Sequence, residues 1–255
     1  MSATPSPRQL YVHDDLSDEL RAHGEASTAW RLGQALFALL RREPGRVVLL
    51  TLAEQLDALI ARGAPAPFAV TLGVGAAGAR VAAQVHARTS WFPAIRRVDL
   101  WREEDADGGY RLAGPAPLET QLLGLDDARS VAVVDDTLFS GLTLRTVLAA
   151  LSPALRARAN AFCLRAVAQS VAEVARLAPV SVGFAAPGRL LTDVSFINAS
   201  GLVRRGAIRR AAAPPLAFFE RSEWMAAWFP GYHDEVLAVC RELAATLNAT
   251  ALVGR

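Results

Sequence analysis

The sequence predicts an α/β protein: a mainly parallel central sheet flanked by helices, with a helical or irregular hood at the C-terminal end. Three observations carry this. From Pro67 to Ala186, short apolar runs alternate with helical patterns, and that alternation builds parallel sheets. The runs are apolar on both faces, as strands covered from both sides are. A hydrophobic content of 52% over 255 residues supplies a core large enough to cover such a sheet.

Residues 1 to about 24 are polar and irregular, with Tyr11 and Val12 able to form a short strand. Ser27 is placed to cap a helix running to about Arg42, because Trp30, Ala35, Leu36, Leu39 and Leu40 recur at helical spacing and Pro44-Gly45 ends it. RVVLLT (46–51) reads equally as a strand or as the lead-in to the helix LAEQLDALIARG. PFAVTL (67–72) reads as a buried strand, GVGAAG (73–78) as a tight loop and Ala79 to Arg88 as a helix. Strands at 98–101 and 110–114, joined by the charged segment REEDADGG (102–109), suggest a hairpin with a polar tip. After SVAVVDDTLFSGLT (130–143), strands at 161–168 and 180–186 enclose a helix at 170–177. Beyond Pro187 the pattern changes to a basic stretch, Pro214-Pro215, an aromatic run and an amphipathic helix over 232–247. The division expected is an N-terminal extension (1–45), an α/β core (46–186) and a C-terminal addition (187–255).

All 27 basic residues are arginine. The absence of lysine excludes a Walker A lysine, a protein-kinase strand lysine and Schiff-base chemistry. A net charge of +2 gives no basic footprint for nucleic acid. Cys163 and Cys240 stand far apart in apolar surroundings, with no CxxC and no clustered histidine, and read as buried thiols in a reducing compartment. No apolar run approaches the ~18 residues that cross a membrane, so a cytoplasmic protein is expected.

The stretch that asks for chemistry is Val131 to Thr143, VAVVDDTLFSGLT. Burying two neighbouring carboxylates is costly, so a ligand should meet Asp135 and Asp136. In a parallel sheet, ligands bind beyond the carboxyl ends of the strands, where this pair lies. The loop that follows offers backbone N–H groups, the hydroxyls of Thr137, Ser140 and Thr143, the flexibility of Gly141 and the start of a helix, which favours an anion. Acids for vicinal hydroxyls beside a phosphate cradle describe a sugar phosphate. Acid pairs at strand ends also serve as metal or hydroxyl ligands, so other sites remain open from the residues alone.

VAVVDDTLFSGLT resembles the signature of type I phosphoribosyltransferases: four apolar residues, two acids, then small and hydroxyl residues ending in threonine. The resemblance implies a Rossmann-like core in which Asp135 and Asp136 hold the ribose of phosphoribosyl pyrophosphate (PRPP). The loop Thr137, Leu138, Phe139, Ser140, Gly141, Leu142 and Thr143 would hold its 5-phosphate. Leu142 stands where many members carry a second glycine, and Phe139 where many carry a small or polar residue. GVGAAG resembles the family's pyrophosphate loop, through Val74, Gly75, Ala76, Ala77 and Gly78. Gly73, Gly75 and Gly78 also fit a dinucleotide fingerprint, although no acid ends a strand at the expected distance. The hairpin around 102–111 sits where the family has a flexible loop.

The implied reaction is displacement of pyrophosphate by a nitrogenous base or related acceptor. Magnesium bridges pyrophosphate and ribose oxygens, and no side-chain metal ligands are implied. Cationic help would come from Arg102 and Arg111, with Arg96 and Arg97 as further candidates. Phe139 occupies the place where hypoxanthine and guanine enzymes carry an aspartate, which argues against those acceptors. Phe196, Phe218, Phe219, Trp224, Trp228 and Phe229 could stack on a base or could be core, and Arg204, Arg205, Arg209 and Arg210 could meet an acidic substrate or face water. A PRPP- or nucleotide-sensing regulator on the same fold is the alternative. A homodimer is implied by the resemblance. Converting both acids to asparagine is expected to abolish PRPP binding with the fold intact.

Overall fold

The computed structural model describes residues 7–105 and 109–253. In chain order the elements are β1 (Gln9–Asp14), α1 (Ser17–Ala22), α2 (Thr28–Leu40), β2 (Val47–Thr51), α3 (Leu52–Ala61), β3 (Val70–Val74), α4 (Gly75–Thr89), β4 (Ile95–Val98), β5 (Trp101–Glu104) and β6 (Tyr110–Ala113). There follow α5 (Leu118–Gln121), β7 (Val131–Leu138), α6 (Leu142–Ala150), α7 (Pro153–Arg156), β8 (Ala159–Val167), α8 (Ala168–Val174) and β9 (Val180–Ala186). The remainder holds β10 (Val194–Asn198), α9 (Ala199–Val203), β11 (Ile208–Arg210), β12 (Ala213–Leu216), a 3-10 turn at Phe218–Glu220, α10 (Ser222–Trp228) and α11 (His233–Val253). No helix of the described residues is long and apolar enough to cross a membrane.

The chain groups into two compact units. One comprises Ala53–Arg102 and Arg111–Leu190; the other comprises the described residues up to Leu52, Glu103–Tyr110 and those from Leu191 on.

The 53–190 unit is built on five parallel strands in the order β4-β3-β7-β8-β9. Val131, Ala132, Val133 and Val134 of the central strand are all fully buried, which is why the sequence there does not alternate. Each such valine is worth about 1.5–3 kcal/mol of transfer free energy. Helix α4 packs on β3, β4 and β7, α6 on β7, and α8 on β8 and β9. Leu144, Val147 and Leu148 of α6 join Val131, Val133, Ala161 and Cys163 in one cluster. A second, aromatic cluster is made by Phe68, Phe92 and Phe162, with ring centroids 5.2–5.9 Å apart.

Two sequence expectations need correction here. GVGAAG forms no loop of its own: Gly73 and Val74 end β3, and α4 begins at Gly75. The apolar run at 98–101 is also not one strand but the end of β4 and the start of β5. The ambiguous run before α3 is settled as a strand, β2, that passes directly into the helix.

The other unit has its own parallel sheet, β10-β1-β2, with β1 in the centre. Ser27 caps α2 as expected, its Oγ accepting the Trp30 N–H at 3.0 Å. Leu36, Phe37 and Leu40 of α2 share a core with Val236, Leu237, Cys240 and Leu243 of α11. Trp228, Phe229 and Tyr232 are buried in that core, and Phe218, Phe219 and Trp224 pack against it, so their aromatic surface is structural. β11 and β12 are antiparallel, and Arg210 pairs in parallel with Glu104. The tip of the expected hairpin, 106–108, lies outside the described residues; on its flanks the Asp105 N–H donates to the Gly109 carbonyl at 3.0 Å. The basic stretch is partly neutralised, with Arg204 paired to Glu19 and Arg205 to Glu220, the latter at 2.7 Å.

Candidate functional site

Strand order fixes where a ligand can sit. From β3 the chain crosses to β4 on one side, while β7 lies on the other. The direction of winding reverses between β3 and β7, and the crevice beyond the carboxyl ends of two such strands is the binding position of open parallel sheets. β3 ends at Val74 and runs into α4; β7 carries Asp135 and Asp136 and runs into the loop before α6. The residues predicted from the sequence are therefore brought to one switch point by topology.

The two acids are not equivalent. Asp135 Oδ1 accepts the Asp136 backbone N–H at 2.8 Å. Burial first, then the adjacent Asp136 charge, raises its carboxyl well above the usual range, and Arg102 opposes this only in part. Asp136 Oδ2 accepts the Arg165 Nη2–H at 2.8 Å and the Thr137 hydroxyl at 3.0 Å. Arg165 lies on β8 with its side chain 1% exposed, against 24% for Asp136. Its Nη1 donates to Gln55 Oε1 on α3 at 3.3 Å. Cys163, next along β8, is a thiol pushed well up, by burial and then by Asp135 and Asp136, and stays neutral.

Glycines bring two helix starts to the crevice. Gly75 opens α4 at φ +58°, and a Cβ on Gly78 would stand 2.3 Å from the Val134 carbonyl oxygen and 3.2 Å from Asp135 Cα. Helix α4 thus touches the backbone of β7 immediately before the acids, and no side chain caps its first turn. Val74 is buried, Gly75 and Ala77 are partly exposed and Ala76 is exposed, leaving first-turn N–H groups of α4 as the donors that this stretch can offer. Gly141 caps α6 at φ +75°, again with no side-chain cap.

Thr137 and Leu138 are the last residues of β7, and Leu138 is buried, so it can offer only its backbone. Phe139 and Ser140 form the loop. The Phe139 carbonyl accepts the Ser170 hydroxyl at 2.6 Å, and its ring lies under the Arg102 guanidinium, 5.5 Å from the centroid. Leu142 and Thr143 make the first turn of α6, where the Leu142 N–H approaches Ser140 Oγ at 3.4 Å. Arg145 secures the same turn through Glu173 at 3.0 Å.

Of the candidate cations, Arg102 acts electrostatically on Asp135. Arg111 is exposed on β6. Arg96 donates to the Leu123 carbonyl at 2.8 Å, and Arg97 to Asp99 at 2.6 Å. Among the described residues no group of three or more His, Cys, Asp or Glu could hold a metal ion, and with Asp136 committed to Arg165 the acid pair is a poor cage for one.

Sequence reasoning missed Arg165, Gln55 and Ser170. The first was visible: an arginine inside the apolar run AFCLRAVA cannot be buried without a carboxylate partner. Gln55 and Ser170 carried no such signal, because their partners are set by how α3 and α8 pack.

Taken together, this is an α/β crevice that can hold hydroxyl groups on acids and phosphate oxygens on two helix starts. No protein-family model and no curated protein matches the sequence. Among solved structures, the chain is similar to a purine phosphoribosyltransferase from Pyrococcus horikoshii Ot3, at 16% identity and TM-score 0.36, over 73% of this chain and 92% of that one. It is similar to a hypothetical protein from Neisseria gonorrhoeae with bound ppGpp, at 15% identity and TM-score 0.40, over 65% and 82%. It is similar also to orotate phosphoribosyltransferase from Aeropyrum pernix, at 21% identity and TM-score 0.36, over 52% and 70%.

Proposed function

We propose that the protein is a phosphoribosyltransferase that binds PRPP with magnesium and transfers its ribose 5-phosphate to a nitrogenous base or related acceptor. The observation that supports this best is the meeting, at one switch point, of Asp135–Asp136 with the uncapped starts of α4 and α6. In this reading the acids take the ribose hydroxyls, the turn from Thr137 to Thr143 takes the 5-phosphate, and Val74 to Gly78 take the pyrophosphate. Magnesium would enter with PRPP rather than on side chains of this protein, and would supply charge neutralisation for the departing pyrophosphate. Arg102 and Arg111 are the cations assigned to the departing pyrophosphate. A cytoplasmic homodimer belongs to the same proposal, and light scattering at micromolar concentration tests the dimer.

A second reading, a regulator that senses PRPP or a nucleotide without transfer, is favoured by the Arg165–Asp136 pair, which leaves the crevice with less free negative charge than the acids alone would give. Calorimetric titration of PRPP with and without magnesium, followed by a pyrophosphate-release screen against purines, pyrimidines and small amines, separates the two. Magnesium-dependent binding with release for one acceptor is the expected result. Binding without release selects a PRPP-sensing regulator, and absence of PRPP binding overturns the transferase and leaves only a nucleotide sensor, which titration with nucleotides then tests.

A further inference from the structure

We propose that Phe139 is a positioning residue: its ring is a fixed shelf that holds the Arg102 guanidinium at the mouth of the phosphate turn, where the cation meets the pyrophosphate of PRPP. The inference rests on the PRPP reading above for its ligand; the contact between ring and guanidinium stands without it.

The shelf is fixed from behind. Phe139 lies in the turn between β7 and α6, three residues past Asp136. Its carbonyl accepts the Ser170 hydroxyl at 2.6 Å, and Ser170 is buried in the first turn of α8. Two residues further on, a Cβ on Gly141 would stand 3.3 Å from Val174 Cγ2 of the same helix, and Arg145 of α6 pairs with Glu173 of α8 at 3.0 Å. The turn is thus held against α8 at three places, and the ring it carries has a defined location. Core filling does not account for that ring. The apolar cluster around β7 takes Leu138 and Leu144 from either side of it and, among the described residues, leaves out Phe139, which is only partly buried.

Arg102 is the flexible partner. It is exposed on β5, and a free arginine side chain carries about 2 kcal/mol of rotamer entropy. Its guanidinium carbon lies over the Phe139 ring at 5.5 Å from the centroid, inside the ~6 Å at which the negative face of an aromatic ring attracts a cation. Stacking engages the flat face of the guanidinium and directs its N–H edge outward, the edge that pairs with phosphate oxygens. The same guanidinium acts on the Asp135 carboxyl, so the charge is held beside the acids and beside the turn at once. A leucine at position 139 would keep an apolar contact but would offer no quadrupole, and the cation would lose its seat.

The test is calorimetry with three probes, each with magnesium: PRPP, pyrophosphate and ribose 5-phosphate. Phe139→Leu is expected to weaken PRPP and pyrophosphate about fivefold, the size of a partly exposed cation–π contact, and ribose 5-phosphate less than twofold, because the turn cradles that phosphate with its backbone. Phe139→Tyr, which keeps a ring, is expected to restore the affinity, and Phe139→Leu to add nothing once Arg102→Ala is present. A merely structural role in the turn moves ribose 5-phosphate as much as pyrophosphate. That outcome overturns the inference, as does a Phe139→Leu loss that persists in full on the Arg102→Ala background. PRPP binding that Phe139→Leu leaves unchanged overturns it too, while the PRPP reading stands. A second readout needs no ligand: the ring current of Phe139 shifts the Arg102 side-chain protons upfield in NMR spectra, and Phe139→Leu abolishes the shift. If the unchanged protein binds neither PRPP nor pyrophosphate, the PRPP reading falls and the ligand role of Phe139 with it, and the Arg102 shift alone decides for or against the shelf. Should Phe139→Leu fail to fold, ring-fluorinated phenylalanine at position 139 keeps the shape and removes the negative face. Pyrophosphate affinity is then expected to fall stepwise with fluorination, and constant affinity overturns the inference.

Discussion

Burial and the adjacent Asp136 charge both push the Asp135 carboxyl up, so the folded protein holds a proton there over a pH range in which the unfolded chain has lost it. Native proton uptake then exceeds that of the unfolded chain, and stability falls as pH rises from the ordinary aspartate value near 4 through the raised one. Asp135→Asn removes this titration. It is expected to be more stable than the unchanged protein at pH 8, with the difference fading toward pH 4; urea unfolding at the two pH values measures it, and a pH-independent difference refutes it. Asp136→Asn should behave in the opposite way, because it takes the carboxylate from a buried guanidinium, at a cost of about 3–5 kcal/mol. Because Asp136 pairs with the buried Arg165, Asp135→Asn is a cleaner probe of binding than neutralising both acids. A dipeptide alone does not specify such roles. Asp14-Asp15 is another acid pair at a strand end, yet Asp14 accepts the Ser17 N–H at 2.9 Å at the start of α1, and Asp15 holds the Ser200 N–H at 2.8 Å on α9. Those two are helix-terminus acceptors, and nothing in the letters DD distinguishes them from Asp135-Asp136.

At the scale of elements, the glycines of GVGAAG are explained by contact between a strand and a helix. A Cβ on Gly73 would lie 2.5 Å from Ala79 Cα, and one on Gly78 would press on the β7 backbone at Val134 and Asp135. The listener to this contact is the acid pair, since β7 and α4 meet one residue before it. Gly78→Ala is expected to shift α4 off β7 and destabilise the protein by about 1–3 kcal/mol, the range for overpacking, while weakening PRPP binding more than tenfold. Denaturant unfolding and calorimetry measure the two, and full affinity in a folded Gly78→Ala protein refutes the link. The sequence made this stretch legible as a turn of some kind, because glycine clusters break patterns, but it misplaced the boundary: Gly75 at φ +58° starts the helix without any intervening loop. The start of β7 was legible, since Val131–Val134 are apolar on both faces, but its end was not: the strand runs on through Asp135, Asp136 and Thr137 to Leu138, where a polar run suggested a loop. Gln55 beside Arg165 was not, because that meeting depends on α3 lying close over Gly183, where a Cβ would stand 2.5 Å from the Gln55 carbonyl oxygen.

For the molecule as a whole, the alternation of strands and helices revealed β3, β7, β8 and β9 of the five-stranded sheet, while β4 was missed because its residues, Ile95–Val98, hold two arginines at their centre and only Val98 was read as strand, within 98–101. The three-stranded sheet was not visible. Its central strand β1 pairs with β2 nearby and with β10 far along the chain, Tyr11 opposite Phe196, and no local pattern in Gln9–Asp14 or Val194–Asn198 names the other as its partner. The same distance in sequence governs stability. Leu10 and Val12 of β1 and Leu36 and Leu40 of α2 are fully buried in a core to which residues after Leu191 contribute Ile197, Leu202, Met225, Trp228, Phe229, Val236, Leu237, Cys240 and Leu243. Removing residues 191–255 strips β1 of a neighbouring strand and exposes the buried face of α2, a contiguous apolar surface that soluble proteins rarely leave open. A fragment ending at Leu190 is therefore expected to bind a hydrophobic dye and aggregate, whereas a fragment spanning 53–190, which retains the whole five-stranded sheet, is expected to unfold cooperatively with α/β circular dichroism. If the fragment ending at Leu190 were as soluble and dye-silent as the full chain, the core of the first 52 residues would have to close without the C-terminal helices, and the buried contacts of Leu36, Phe37 and Leu40 with α11 would not be what holds that unit together.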